Sequence, residues 1–427
     1  MIKKAFWGLS TPQINYEMLP VHLPETEKIP TPQRITLFHP KNDTPNVPST
    51  LGIGDPVKTG EKLSLYPDQN YYVISPVTGK ITSLSPYTGD FEKNYIAISI
   101  TPDGSEIIDD TFQNQAQNPT LELLSEYLTG APGDPPLGLL ADSSSNINTI
   151  VIRGLDPDPT VATSQYIAQS RFNDLKKGIE ILKQVADVRD IILITPGETV
   201  QGYGHIGAQV KGVKTTYPSA LPHMVMKDVL GQVVPAEKTC EELGVCFFTA
   251  EAVISIGSAF ESGQLPTSKV LTFIKKDGTT NIIETPIGTP IADILEAFGE
   301  TINKFDRIIL GGPMTGSAIY ALEHPVRPDT DSIIVIDRDK AAYASDYPCI
   351  NCGECVRICP AKIQVNMLVR FLEANQYEAA ADGYDLHSCI ECGLCSYVCV
   401  SRIPIFQYIK LAKYELERAK TPEEADA

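Results

Sequence analysis

At 427 residues, with 42% hydrophobic and 21% charged positions, the chain has the composition of a soluble globular protein, and it is too long for one compact core. A formal net charge of −18 excludes a nucleic-acid binder, because a phosphate backbone is held by clustered Lys and Arg, and it opposes adsorption to an anionic membrane surface. The longest apolar runs, such as "DIILIT" and "DSIIVID", have strand length and fall far short of a bilayer span, so no direct membrane span is expected.

Residues 1–30 read as an extended segment, and the apolar patch in "MIKKAFWGLSTP" is too short for a signal peptide. From Leu51 to Ser85 short alternating stretches are punctuated by Gly54-Asp55, Thr59-Gly60 and Thr78-Gly79, which predict tight turns between strands. The pattern resembles a lipoyl- or biotinyl-type β-sandwich, here residues 31–105. Lys80 follows Gly79, but the hydrophobic-flanked acceptor motif of the carrier versions is missing, so the module is read as a docking structure.

Residues 106–245 read as α/β. "NTIVIRGLDPDP" is a strand entering a loop, "SQYIAQSRFNDLKKGIEILKQVAD" an amphipathic helix or helix pair, and "VRDIILITPGE" a second strand; this order predicts a parallel sheet. "QGYGHIG" places Gly202, Gly204 and Gly207 in a G-x-G-x-x-G match. A dinucleotide fingerprint needs a helix next, whereas "AQVKGVKTTYP" reads as strand, so the match is taken as a glycine-rich turn. Cys240 and Cys246 lack a third ligand nearby and read as ordinary thiols; His39, His205 and His223 read as satisfied loop histidines. In residues 246–345, "SKVLTFIKKDGTTNIIETPIGTPIADILEAFGE" predicts strand, Asp-Gly turn, strand, then a helix starting near Pro290, a β-grasp pattern. "DRIILGGPMTGSA" is a strand ending in a glycine turn.

Residues 346–420 carry the strongest signal. Cys349, Cys352, Cys355 and Cys359 are spaced C-x2-C-x2-C-x3-C, and Cys389, Cys392, Cys395 and Cys399 repeat the spacing. Three close cysteines wrap one cubane and the fourth reaches the other, as in two-cluster ferredoxins. On that logic Cys349, Cys352, Cys355 and Cys399 hold one [4Fe–4S] cluster, and Cys389, Cys392, Cys395 and Cys359 the second. Gly353 and Gly393 let the backbone pass close and offer N–H groups to sulfur. Structural zinc prefers paired CxxC motifs or Cys with His, and a disulfide framework suits small secreted domains. Between the runs Met367, Leu368, Phe371 and Leu372 recur at helical spacing. After the second run Ile405, Tyr408, Ile409 and Leu411 or Ala412 do the same behind Pro404, giving an α-helical ferredoxin. Arg357 and His387 read as surface solvation, and residues 421–427 as a disordered tail.

Taken in order, these pieces resemble the RnfC family of the Rnf membrane oxidoreductase, itself related to the NADH-binding flavoprotein of respiratory complex I. The resemblance spans nearly the whole chain. It rests on "HP" at His39 and Pro40, the sandwich, "YP" at Tyr217 and Pro218, "IGTPIADILEAFG", "GGPMTG" and, above all, the two cysteine runs. It implies a multidomain α/β plus α fold: a lipoyl-like β-sandwich, a Rossmann-like α/β domain, a β-grasp (SLBB-like) domain and a C-terminal α-helical ferredoxin. It also implies flavin mononucleotide and NADH on the α/β domain.

Here the sequence departs from the pattern. The family's glycine nest corresponds to "TGAPGDPPLGLLADSSS", whose Gly130, Gly133 and Gly138 are separated by prolines that lack N–H donors, with Asp134 and Asp142 adding negative charge. The family's "NGAECEP" becomes "RGLDPDP", where Asp156 and Asp158 stand in for the acidic pair, and "YPQGAE" becomes "YPSALP". The expectation is that flavin and NADH binding at the family site is lost and that no catalytic residue is to be assigned. The chain then reads as an electron relay of an Rnf-like complex, peripheral on the cytoplasmic face of a bacterial inner membrane. Its implied partners are membrane-embedded and flavin-bearing subunits and a soluble or cytochrome electron donor or acceptor. The alternatives are an NADH-oxidising flavoprotein and a non-catalytic docking protein.

Overall fold

A computed structural model of the chain describes residues 12–20, 22–41, 49–67, 71–142, 144–341, 344–345 and 347–420; the expected tail at 421–427 and the start of the expected extended segment lie outside them. The fold is mixed α/β with several sheets and a helical C-terminal region.

The first sheet is antiparallel, in the order Ile35–Pro40, Asn94–Pro102, Gly79–Thr88 and Pro56–Val57, with the pair Lys62–Leu63 and Val73–Ile74 beside it. Its core collects Ile35, Leu37, Leu63, Ile81, Ile98 and Ile100. The strand Ile35–Pro40 is buried on both faces rather than alternating, because its outer side meets Ile287 and the Thr36 N–H donates to the Gly288 carbonyl. Thr78-Gly79 is not the expected turn. Gly79 opens a strand, and a Cβ there would lie 2.2 Å from the Thr101 carbonyl oxygen, so the glycine serves close strand approach. Lys80 therefore pairs with Pro56 and Thr101 inside the sheet, away from any hairpin tip. His39 sits in a strand, not a loop, and is satisfied there: its ring nitrogens meet the carbonyls of Pro40 at 2.8 Å and Tyr71 at 3.2 Å.

The second sheet is parallel, ordered Gln209–Val213, Asp190–Pro196, Thr149–Arg153, Val245–Thr249. The expected amphipathic stretch resolves into two helices, Thr163–Ser170 and Phe172–Val185, broken at Arg171. Leu175, Ile179 and Leu182 of the longer one recur at three- and four-residue spacing on its buried face. The run Gly197–Tyr203 is 3₁₀ and leads into a strand, so "QGYGHIG" is a turn and not a nucleotide fingerprint. Val245–Thr249 straddles the division expected at 245/246. It joins this sheet and feeds the helix Ala250–Ser262, whose Thr249 cap accepts from the Ala252 N–H at 3.0 Å.

The third sheet is mixed and six-stranded: Glu27–Lys28, Thr280–Pro286, Ser268–Ile274, Ser332–Ile336, Arg307–Leu310 and Ser317–Ile319 in spatial order. The hairpin turns at Asp277-Gly278, and the helix Ile291–Ala297 starts after Pro290 as the sequence predicts. A fully buried lysine joins the second and third sheets. Lys269 contacts the Glu251 carboxylate from the helix Ala250–Ser262 and lies 3.3 Å from Asp331.

Candidate metal centre

The repeated spacing of the cysteine runs becomes a repeated backbone. Asn351 and Glu391 have φ of 57° and 56°, Gly353 and Gly393 75° and 70°, Lys362 and Arg402 61° and 56°. In each run the left-handed glycine precedes a one-turn helix, Glu354–Ile358 or Leu394–Val398, on which the third cysteine sits. The helices Val365–Glu373 and Ile405–Lys420 then pack as a lid. The face buried by the first is Val365, Leu368, Val369 and Leu372. The expected Met367 and Phe371 are only half-buried, because the stripe rotates by one residue toward the β-branched positions. In the second helix Ala412 is buried and Leu411 exposed.

Cys349, Cys352 and Cys355 line one cavity together with Cys399 from the other run, beside Gly353, Val369 and Ile403. Burial raises the Cys355 thiol to about 11, and the charges of Cys349, Cys352 and Cys399 add to it. In the second group burial lifts Cys392 to about 12, reinforced by Cys389 and Cys359. Cys399 of the second run thus lies with the first three, and Cys359 of the first run stands among the charges acting on Cys389 and Cys392. Backbone N–H groups point at sulfur, from Glu391 to Cys389 and from Ile403 to Cys399, both at 3.4 Å. Thiols that burial and mutual repulsion keep protonated become thiolates only beside compensating metal charge, so the donor set fits a cluster. Among the described residues no group of three or more His, Cys, Asp or Glu side chains converges on a single-ion site. Exposure differs along the runs: Cys352 is exposed, Cys355, Cys392 and Cys395 are buried, and Cys349, Cys359, Cys389 and Cys399 are intermediate.

The second run is held from two sides. The Tyr217 hydroxyl donates to the Cys392 carbonyl at 2.6 Å, and a Cβ on Gly393 would lie 2.5 Å from the Met314 carbonyl oxygen. Met314 belongs to "GGPMTG", which wraps a carboxylate: the N–H groups of Met314 and Thr315 both donate to Asp158 Oδ2 at 3.0 Å. Gly312 is obligatory there, since its Cβ would fall 1.7 Å from Asp158 Cγ. Arg357 forms a surface ion pair with Glu354, and the His387 ring lies 3.7 Å from the Glu237 carboxylate. Cys240 and Cys246 are buried thiols lifted by that burial to about 11 and about 12, as inert cysteines are. His205 is exposed, and His223 is half-buried with its protonation opposed by burial and by Lys413.

The glycine loop around Gly130, Gly133 and Gly138 turns inward. The N–H of Ala131 donates to Leu128, that of Gly133 to Pro328 and that of Asp134 to Ala131. Its carbonyls at Pro132 and Gly133 accept from Ser255 and Thr249. Gly130 lines a cavity of about 260 Å³ with the acidic Asp134 and Asp329, and Gly138 lies in the short helix Leu137–Ala141. Asp142 is engaged locally by Ser144. Asp156 is also structural, accepting from the N–H groups of Ser164 and Gln165 at a helix start. Sequence reasoning missed Tyr16. The segment around it bonds along the loop after Gln209–Val213, through Tyr16 N–H to the Thr215 carbonyl and Tyr217 N–H to the Ile14 carbonyl. The Tyr16 hydroxyl accepts from the Ala220 N–H at 3.1 Å. Beyond the carboxyl ends of parallel strands, where open α/β sheets usually bind ligands, this chain places its own tyrosine.

A 4Fe–4S dicluster domain matches residues 348–403. The RnfC component of the ion-translocating oxidoreductase complex of Pectobacterium carotovorum subsp. carotovorum (strain PC1) is 24% identical over 412 residues, covering 91% of this chain and 55% of that protein. The protein of the same description from Buchnera aphidicola subsp. Acyrthosiphon pisum (strain APS) is 24% identical over 377 residues, covering 84% of this chain and 79% of its own length. The chain thus spans little more than half of the first relative. Among solved structures, an NAD+-reducing [NiFe]-hydrogenase in the H2-reduced state aligns with TM-score 0.46 and 12% identity, covering 74% of this chain and 66% of that chain. Over most of its length, therefore, the chain is a relative of the RnfC components of ion-translocating oxidoreductase complexes, and it carries a 4Fe–4S dicluster domain.

Proposed function

We propose that the chain is an electron-relay component of an Rnf-like ion-translocating complex, with two [4Fe–4S] clusters and no flavin or NADH at the family's glycine loop. What supports this is the convergence of Cys349, Cys352 and Cys355 on one cavity with Cys399 from the other run, and the nearness of Cys359 to Cys389 and Cys392. Cys349, Cys352, Cys355 and Cys399 would hold one cluster, and Cys389, Cys392, Cys395 and Cys359 the other; when bound, each supplies one-electron redox chemistry. The chain's own part is to fix the thiolates, to aim N–H groups at Cys389 and Cys399, and to brace the backbone at Cys392 and Gly393 with Tyr217 and Met314.

Loss of the flavin site is supported by the loop whose N–H groups are spent internally, and by Tyr16 beyond the strand ends. In this reading the first sheet is the lipoyl-like module, the second the Rossmann-like domain and the third the β-grasp. Among the described residues no helix is long and apolar enough to cross a membrane. Attachment then goes through membrane-embedded and flavin-bearing partner subunits at the cytoplasmic face, with a soluble or cytochrome donor or acceptor. The test is anaerobic purification with iron and sulfide assay, flavin extraction, and absorption spectra before and after NADH and dithionite. About eight irons per chain, bleaching by dithionite and none by NADH is the expected result. Bleaching by NADH would replace the relay with a flavoenzyme.

A further inference from the structure

The two cysteine loops share a spacing and a backbone but differ in how a helix grips them. In each, the residue before the second cysteine is left-handed, Asn351 at φ 57° and Glu391 at φ 56°, and a side chain from the helix that follows the run meets it. In the first loop the grip is neutral: the Asn366 amide, on the helix Val365–Glu373, donates to Asn351 Oδ1 at 2.7 Å. In the second it is ionic. The Lys413 ammonium, on the helix Ile405–Lys420, donates to Glu391 Oε1 at 2.7 Å and to the Cys389 carbonyl at 2.9 Å.

A partly exposed ion pair of this kind contributes little to stability, so its effect lies in the field it sets at the sulfur. Burial lifts the Cys389 thiol, and Lys413 is the largest influence opposing that rise, ahead of the Glu391 N–H; the Glu391 carboxylate acts the other way with less effect. The ammonium prevails because it is held on the Cys389 carbonyl and is the less exposed of the two, 25% against 41% for the Glu391 side chain. A positive charge held beside a thiolate-bound cluster favours the more negative, reduced state.

We propose that Lys413 and Glu391 form a charged clasp that sets the reduction potential of the second cluster apart from that of the first. The Lys413 ammonium holds the Cys389 backbone and raises the potential; the Glu391 carboxylate positions that ammonium and partly offsets its charge. Asn351 and Asn366 hold the first loop in the same place without charge. Both members of the clasp are positioning residues, acting through Cys389. The inference rests on the relay reading and deepens it, by naming the side chains that make its two steps unequal.

The test is electron paramagnetic resonance of the anaerobically purified, cluster-loaded full chain, poised at a series of potentials with dithionite, with Cys359→Ser marking the signal of the second cluster. Lys413→Met is expected to lower the reduced-to-oxidised ratio of that cluster about tenfold at a fixed ambient potential, which is about 59 mV for one electron. Glu391→Gln, which keeps an acceptor for Lys413, is expected to move the ratio upward, and Lys413→Arg to hold the wild-type value. The first cluster moves far less in all three. Shifts of the same sign in Lys413→Met and Glu391→Gln, or shifts below about twofold in both, overturn the proposal. Should Lys413→Met lose iron, the sign of the Glu391→Gln shift decides alone. A wild type without about eight irons overturns the relay reading and this inference with it, whereas about eight irons with unmoved midpoints overturns this inference alone.

Discussion

Replacing Lys269 by Met tests the joint between the second and third sheets. Lys269 is fully buried on the strand Ser268–Ile274, against the Glu251 carboxylate and 3.3 Å from Asp331. Methionine fills nearly the same volume but removes the one cation that pairs with Glu251 among the described residues, leaving it the Val270 N–H at 3.1 Å. Breaking a buried pair by deleting one partner costs about 3–5 kcal/mol, because the remaining charge stays desolvated. At pH 7 that is roughly a hundred- to several-thousand-fold shift in the unfolding constant. The stranded Glu251 carboxyl rises further above its unfolded value, so the folded variant binds a proton the unfolded chain does not. Its deficit is therefore greatest at neutral and higher pH and shrinks as pH falls toward the ordinary glutamate range. Urea unfolding of Lys269→Met and of Lys269→Met/Glu251→Gln between pH 5 and 8 checks both parts. The double variant should recover a good share of the loss and show little pH dependence. A deficit below about 1 kcal/mol, or one equal in single and double variants, would refute the ion-pair argument and leave only packing.

Cys359→Ser should deplete the second quartet although Cys359 lies in the first run, dropping iron from about eight to about four per chain while Cys389, Cys392 and Cys395 stay intact; electron paramagnetic resonance of the reduced protein would show which cluster is lost. Tyr217→Phe removes a 2.6 Å bond to a buried carbonyl and should lower stability by about 1–3 kcal/mol in denaturant titration, without changing iron stoichiometry. Burial lifts Asp158 to about 6, opposed by its bonds from Met314 and Thr315, so the folded state prefers the protonated form. This group's contribution is fully present below about 4 and is lost as pH rises through about 6. Asp158→Asn keeps an acceptor for the turn and removes the titration, so the stability difference between wild type and variant should move by about 2–3 kcal/mol across that window.

The cluster region was legible because its chemistry is written locally: two spacings and two left-handed glycines repeat 40 positions apart, and backbone dihedrals follow from them. The strands Thr149–Arg153 and Asp190–Pro196 were legible because short Ile- and Val-rich runs bounded by Asp, Gly and Pro favour buried strands of a covered sheet. What stayed hidden is made by partners distant in sequence. Gly79 looks like a turn glycine until Thr101 is brought against it, and "GGPMTG" looks like a plain glycine turn until Asp158 fills it. Tyr16 carries no local signal, and its meaning comes from Tyr217 and Ala220, about two hundred residues away. Val245–Thr249 escaped notice because "VCFFTAEAVISIG" is apolar throughout, and such a run suits strand and buried helix alike.

The unequal burial of the two quartets has a bearing on how the protein is made. Cys352 remains open to solvent in the finished fold, whereas Cys392 and Cys395 are closed beneath a tyrosine from one unit and a methionine carbonyl from another. On the relay reading, iron and sulfide delivered to the folded chain meet Cys352 directly, whereas in the second set they meet Cys389, which lines an open cavity beside His387 and Lys413. Cys392 and Cys395 are then expected to load more slowly than the Cys352 side, so a chain starved of metal late in folding fills the first set before the second.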